Sequence, residues 1–328
     1  MEQKVLRIST IVLVCSLLLR LMSTGVFADL FRFRLSSNAA AWMIFLQTGR
    51  LVRPENIIFQ PEESEPPATE ATDATEALDE NILTFSPSFA ESIALTCSFS
   101  YSADLPALLS QPLAWELMED APTVLILHSH GTESFTGTYA ETSPYHTLDN
   151  THNMVSVGAY VAEILENAGI KVIHDTTLHD SPSYNAAYNN SRQSVQSYLA
   201  QYPSIKLVLD LHRDSFEDEE GNQIVQTVFS QGEVLAPVML VVGTNYGGLE
   251  HPNWQENLAL ALKLQVQMES LRPGICRKIN LRSQRFNQDL STGALLIEMG
   301  ASGNTKEQVL KAADVLAEAI LSLAHGSR

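Results

Sequence analysis

The residues of this chain best suited to chemistry stand at the ends of three apolar runs. Val124-Leu125-Ile126-Leu127 leads into His128-Ser129-His130-Gly131-Thr132-Glu133-Ser134, so two imidazoles at spacing i, i+2 precede a glycine and a carboxylate. Leu207-Val208-Leu209-Asp210-Leu211 delivers His212, with Arg213 and Asp214 behind it, and Ala294-Leu295-Leu296-Ile297 delivers Glu298. Neutral imidazole together with carboxylate is a zinc-type donor set. For any one run the plain alternative is a polar residue closing a strand. A carboxylate buried unpaired costs several kcal/mol, however. Three runs that each bring a His or Glu to the same end ask for a metal, a water and a general base in one cleft.

The runs that carry these residues are short, apolar and partly β-branched, as strands buried on both faces are. In a parallel α/β sheet, ligand-binding residues sit just past the carboxyl ends of such strands. Helices alternate with them. Asn153 to Ala168 places Val157, Val161, Ile164, Leu165 and Ala168 on one face, and Gly169 stops it. Ile170 to Ile173 reads as a strand, Tyr184 to Tyr202 as a helix ended by Pro203, and Ile205 to Leu211 as a strand. Ile224 to Phe229 and Val238 to Val242 read as further strands, and Asn253 to Leu271 as a long helix. In the final helix, Asn304 with Glu307 three residues on suggests a capping box, and Val309, Ala312, Ala313, Leu316, Ile320 and Leu323 form the buried face. Residues 90 to 118 read as a short strand and a helical lead-in. The expected fold is α/β, a mainly parallel sheet with helices on both faces.

Ahead of this domain the composition changes three times. In residues 1–28, Lys4 and Arg7 precede a nearly unbroken apolar run from Ile8 to Leu19. A spanning helix needs about 20 residues, so Arg20 has to be tolerated near one end. The reading is a retained membrane anchor, with a cleavable signal ending near Val26-Phe27-Ala28 as the competitor. Residues 29–59 form a juxtamembrane segment with an apolar patch from Ala39 to Leu46. Residues 60–82 hold Pro61, Pro66, Pro67 and only acidic charge, a disordered linker. Residues 83–328 are the expected catalytic domain, held outside the cytoplasm at the cell membrane. The net charge of −18 argues against nucleic acid as a partner. Three cysteines are too few for a disulfide framework, although a Cys97–Cys276 bridge is conceivable in an exported chain.

Three blocks together resemble a known family. Leu127-His128-Ser129-His130-Gly131-Thr132-Glu133-Ser134-Phe135, Asp210-Leu211-His212-Arg213-Asp214-Ser215, and Phe286-Asn287-Gln288-Asp289-Leu290-Ser291 with Leu295-Leu296-Ile297-Glu298-Met299-Gly300 look like stage II sporulation protein P. That family is related to zinc-dependent N-acetylmuramoyl-L-alanine amidases, and the resemblance covers roughly residues 90 to 324. It implies hydrolysis of peptidoglycan at the amide between muramic acid and L-alanine, in septal wall remodelling during engulfment. It also implies a lytic transglycosylase and a membrane scaffold as partners. The alternatives are an endopeptidase acting on cross-links and a non-catalytic wall-binding scaffold.

The resemblance implies that His130, Glu133 and His212 hold Zn2+ and that Glu298 is the general base. The first histidine of related amidases lies just before a glycine, which selects His130 over His128. The second ligand stays open among Glu133, Glu141, His146, Asp149, Asn150 and His152. Arg213 either binds a substrate carboxylate or holds its loop by an ion pair. His128, Asp214, Asn287 and Asp289 are candidates for the shell around the ligands. His146, His152, His174, His179 and His251 are otherwise expected at the surface or in loops, and Trp254 in packing.

Overall fold

The computed structural model describes residues 87–113, 116–137 and 145–325. The segments expected to be anchor, juxtamembrane stretch and linker lie outside these residues, as does Glu141. Among the described residues no helix is long and apolar enough to cross a membrane.

Among the described residues nine strands are formed: β1 (Leu95–Thr96), β2 (Val124–Leu127), β3 (Val172–His174), β4 (Leu207–Asp214), β5 (Val228–Ser230), β6 (Glu233–Leu235), β7 (Val238–Gly243), β8 (Ile279–Arg282) and β9 (Ala294–Ala301). Among the same residues five α-helices accompany them: α1 (Leu105–Ser110), α2 (Met154–Asn167), α3 (Ala187–Gln201), α4 (Trp254–Leu271) and α5 (Lys306–His325). Seven strands make one sheet in the order β1-β8-β7-β9-β4-β2-β3, and β5 and β6 form a separate hairpin. All neighbours in the large sheet run parallel except β7 and β9, which are antiparallel. The sheet is therefore mainly parallel, and it consists of two parallel blocks joined back to front.

Alternation along the strands assigns the two faces. Val124 and Ile126, Leu207, Leu209 and Leu211, and Leu295, Ile297 and Met299 pack with α2, α4 and α5 in the main core. Leu125, Leu127, Val208 and Ala294 face the other way, against Val195 of α3. His212 and Glu298 fall on this second face, because each is one residue out of step with the main-core set. β4 and β9 are in register there, with His212 directly opposite Glu298. A shift in that pairing follows between His212 and Asp214, which ends regular pairing where the polar residues begin.

Several expectations need correction. Ile224 to Phe229 is a strand only from Val228, and Ile224 and Val225 are exposed. The strand β8 reads too briefly in Ile279-Asn280-Leu281-Arg282 to be seen as periodic. The last helix is capped one residue later than expected: Gln308 N donates to Thr305 Oγ1 at 3.3 Å while Thr305 N donates to Gln308 Oε1 at 3.2 Å. Asn304 instead closes the end of β9, its Oδ1 accepting from Ala301 N at 2.9 Å. Cys97 and Cys276 are both free.

Candidate active site

β2, β4 and β9 end side by side, and the chain beyond each carries the polar residues into one buried cluster. His130, Glu133, Asp210, His212 and Arg213 are all at most 7% exposed. His130 and His212 stand with ring centroids 5.5 Å apart, nearly edge to face. His212 Nδ1 lies 3.6 Å from Glu133 Oε2, and its Nε2 lies 2.9 Å from Asp210 Oδ1. That second contact is off the line of a ring N–H, so Nε2 makes no hydrogen bond, and neither do His130 Nδ1 and Glu298 Oε2. Buried polar atoms without partners are rare in folded proteins. Three in one cluster mark a place where something outside the chain completes the bonding.

The electrostatics separate the two glutamates. Burial alone would raise the Glu133 carboxyl, but Arg213 and then His212 hold it down at about 2. Burial lifts Glu298 to about 8; His212 pulls against this, while Glu133 and Asp214 push the same way. Burial opposes charge on His212, yet Asp210 and Glu133 raise its pKa well above the ordinary imidazole value. One carboxylate is thus kept ionised and its neighbour is kept able to hold a proton, the division that assigns acid and base roles in hydrolases.

Arg213 is not aimed at the cleft. Its backbone N donates to Glu133 Oε2 at 3.1 Å, Nε to Ser134 O at 3.1 Å and Nη2 to Tyr145 O at 2.8 Å. Of its two expected roles, the contacts match the one that holds the loop. Asp214 pairs with Arg277 at 2.7 Å. Asp289 grips Arg192 of α3 through two bonds of 2.8 and 2.7 Å, and Asn287 Nδ2 donates to Tyr188 O at 2.8 Å. Both therefore lock α3 onto the site. Phe286 and Asn287 take φ of 49° and 59°, the left-handed region that a bulky residue rarely adopts.

His128 does not share the face of His130, because the extended strand stops at Leu127. Its Nδ1 bonds Leu211 O at 3.0 Å and its Nε2 meets His174 Nε2 at 3.0 Å, on the side of α2. Burial and His174 lower its pKa to about 3, so it is neutral. Gly158 of α2 is required beneath it, since a Cβ there would collide with the His128 ring. His179 and His251 lie in loops, as expected, yet are buried, at 3% and 1% exposure, and His174, half-buried, ends β3. His146 borders the cluster through Thr132 Oγ1 at 3.0 Å. Only His152 of this group is exposed, paired with Asp149 at 2.9 Å.

Three members of the site escaped the sequence. Asp180, on the loop before α3, accepts from Thr132 Oγ1 at 2.6 Å and lies 3.8 Å from His130 Nδ1. Tyr184 stacks on His130 with centroids 4.0 Å apart, and Tyr188 meets the same ring edge-on at 5.4 Å. The i, i+4 spacing of the two tyrosines was the available signal, but the helix around them is polar and suggests solvent.

The donor chemistry suits a divalent cation: the buried imidazoles of His130 and His212 stand beside an ionised glutamate. As the side chains stand, no three His, Cys, Asp or Glu among the described residues are gathered so as to hold a metal ion.

An α/β protein with an imidazole–carboxylate cluster at its strand ends is the class that fold and site define. The sequence matches the model of the family Stage II sporulation protein P over residues 52–321, and the chain belongs to that family. It is 29% identical over 211 residues to the Stage II sporulation protein P of Bacillus subtilis (strain 168), covering 61% of this chain and 50% of that protein. The chain thus spans about half the length of this relative. Among solved structures it is similar to N-acetylmuramoyl-L-alanine amidase AmiC2 of Nostoc punctiforme, at 14% identity and a TM-score of 0.38, covering 62% of this chain and 97% of that one. It is also similar to the amidase Ami1 from Mycobacterium abscessus, at 13% identity and a TM-score of 0.39, covering 62% and 99%.

Proposed function

We propose that this chain is a zinc-dependent peptidoglycan hydrolase that cuts the amide between N-acetylmuramic acid and the L-alanine of the stem peptide, in septal wall remodelling during sporulation engulfment. The observation that carries the reading is the pairing of His212 with Glu298 across β4 and β9, with an unpartnered nitrogen on His212, another on His130 and an unpartnered oxygen on Glu298. His130, Glu133 and His212 are the residues that would hold zinc. The ion, when bound, supplies a Lewis acid for the scissile carbonyl and makes its water more acidic. Glu298 takes a proton from the attacking water as the new C–O bond forms. It returns that proton to the alanine nitrogen as the C–N bond breaks, leaving a lactyl carboxylate and a free amine. Arg213 acts through Glu133, keeping it charged. Residues 1–28 would anchor the catalytic domain outside the cytoplasm, beside a lytic transglycosylase and a membrane scaffold.

The test is digestion of purified cell wall by the full-length chain, by its Glu298→Gln variant and by the wild type with chelator. Glu298→Gln is expected to lower turnover by about 100-fold or more, and chelation to abolish it until zinc is restored. Undiminished lysis in both arms contradicts the mechanism. His212→Ala is expected to lose bound zinc by elemental analysis, and full retention contradicts that ligand.

A further inference from the structure

Tyr188 has a ring that the protein holds in place and a hydroxyl that it leaves unused. The ring is fixed on three sides. It lies nearly parallel to His212, with centroids 6.3 Å apart and planes 10° from parallel. It meets His130 edge-on at 5.4 Å and leans on Phe286 at 5.5 Å. Its backbone is tied down as well, since Tyr188 O accepts from Asn287 Nδ2 at 2.8 Å. The strained Phe286–Asn287 turn therefore serves one purpose at two points, packing on the ring and bonding the carbonyl behind it.

The hydroxyl has no hydrogen-bond partner among the described residues, and it is not among the side-chain oxygens sealed from solvent. A tyrosine wedged this firmly normally has its O–H satisfied by the protein. An O–H on a ring held rigidly against His130 and His212, without an acceptor among the described residues, is arranged for an acceptor that arrives with the substrate.

Resting on the amidase reading above, we propose that Tyr188 is a further catalytic residue, whose hydroxyl donates a hydrogen bond to the oxygen of the scissile carbonyl as negative charge develops there. No proton is transferred from Tyr188: the O–H stays intact while the C–O bond forms and the C–N bond breaks, and Glu298 alone moves the proton. Such a donor acts on the transition state more than on the bound substrate. Its effect therefore belongs in kcat.

Tyr188→Phe keeps the ring and its packing and removes only the hydroxyl, so it separates this role from a structural one. With the full-length chain and a soluble muramoyl-peptide, Tyr188→Phe should lower kcat by about 100-fold or more and leave KM within about twofold. Zinc content, melting temperature and the shape of the pH profile should match the wild type. Wild-type kcat in Tyr188→Phe overturns the inference while leaving the amidase reading intact, provided Glu298→Gln is inactive in the same assay. Loss of zinc or of thermal stability in Tyr188→Phe also overturns it, by assigning the hydroxyl to structure. A wild-type chain that leaves the muramoyl-alanine bond uncut removes the reading and the inference together.

Discussion

At the scale of residues, the cluster works by unequal treatment of similar groups. Glu133 and Glu298 share one buried site, yet Arg213 reaches only the first closely, through a backbone bond and a guanidinium 3.7 Å from Oε1. Removing a charge-assisted contact behind the site should be felt as stability rather than chemistry. Asp289→Asn, which breaks the fork to Arg192 and the 3.3 Å contact to Arg285, should destabilise the fold by about 2 kcal/mol in urea titrations. An unchanged midpoint would contradict its role as the clasp on α3. Lys263 offers a pH test away from the site. Burial lowers its pKa from 10.5 to about 8, and Nζ donates to Leu108 O at 2.8 Å. Between those two values the unfolded chain binds more protons than the folded one, so this residue makes stability rise with pH over that window. Lys263→Met should flatten the rise relative to the wild type in melts at the two ends of the window; parallel curves would contradict it.

At the scale of elements, legibility followed burial. β2, β4 and β9 carry apolar runs buried on both faces, and each could be read with its terminal His or Glu. Asn153 could also be read as the start of α2, where its Oδ1 accepts from Val155 N at 3.0 Å. β8 could not, because four alternating residues form too short a period. The reversed direction of β7 could not either, since an apolar run carries no sign of which way it points. Asp180, Tyr184 and Tyr188 were hidden because they come from a loop, a short turn and a polar helix, and only tertiary packing brings them against His130. The start of α5 shows how two adjacent capping residues mislead. Thr305→Ala should lower stability by about 1 kcal/mol through loss of the helix cap, measured by thermal melting. If that variant is neutral, the capping box has been placed one residue too late.

At the scale of the whole molecule, the sheet brings residues more than 160 positions apart in sequence to one edge, and three strand ends define the site. The β4–β9 pairing matters most, because a one-residue slip would send either His212 or Glu298 to the opposite face. Gly293 protects that pairing at its start: a Cβ there would collide with Lys206 O. The proposed reaction cuts one bond, and its products differ from those of cross-link cleavage. The most direct measurement is mass spectrometry of purified sacculi digested by the full-length chain, with and without chelator. The account predicts stem peptides released with free L-alanine amino termini, glycan strands bearing unsubstituted lactyl groups, and neither product once zinc is removed. Cleaved cross-links with the muramoyl-alanine amide still intact, or equal product in the presence of chelator, would contradict it.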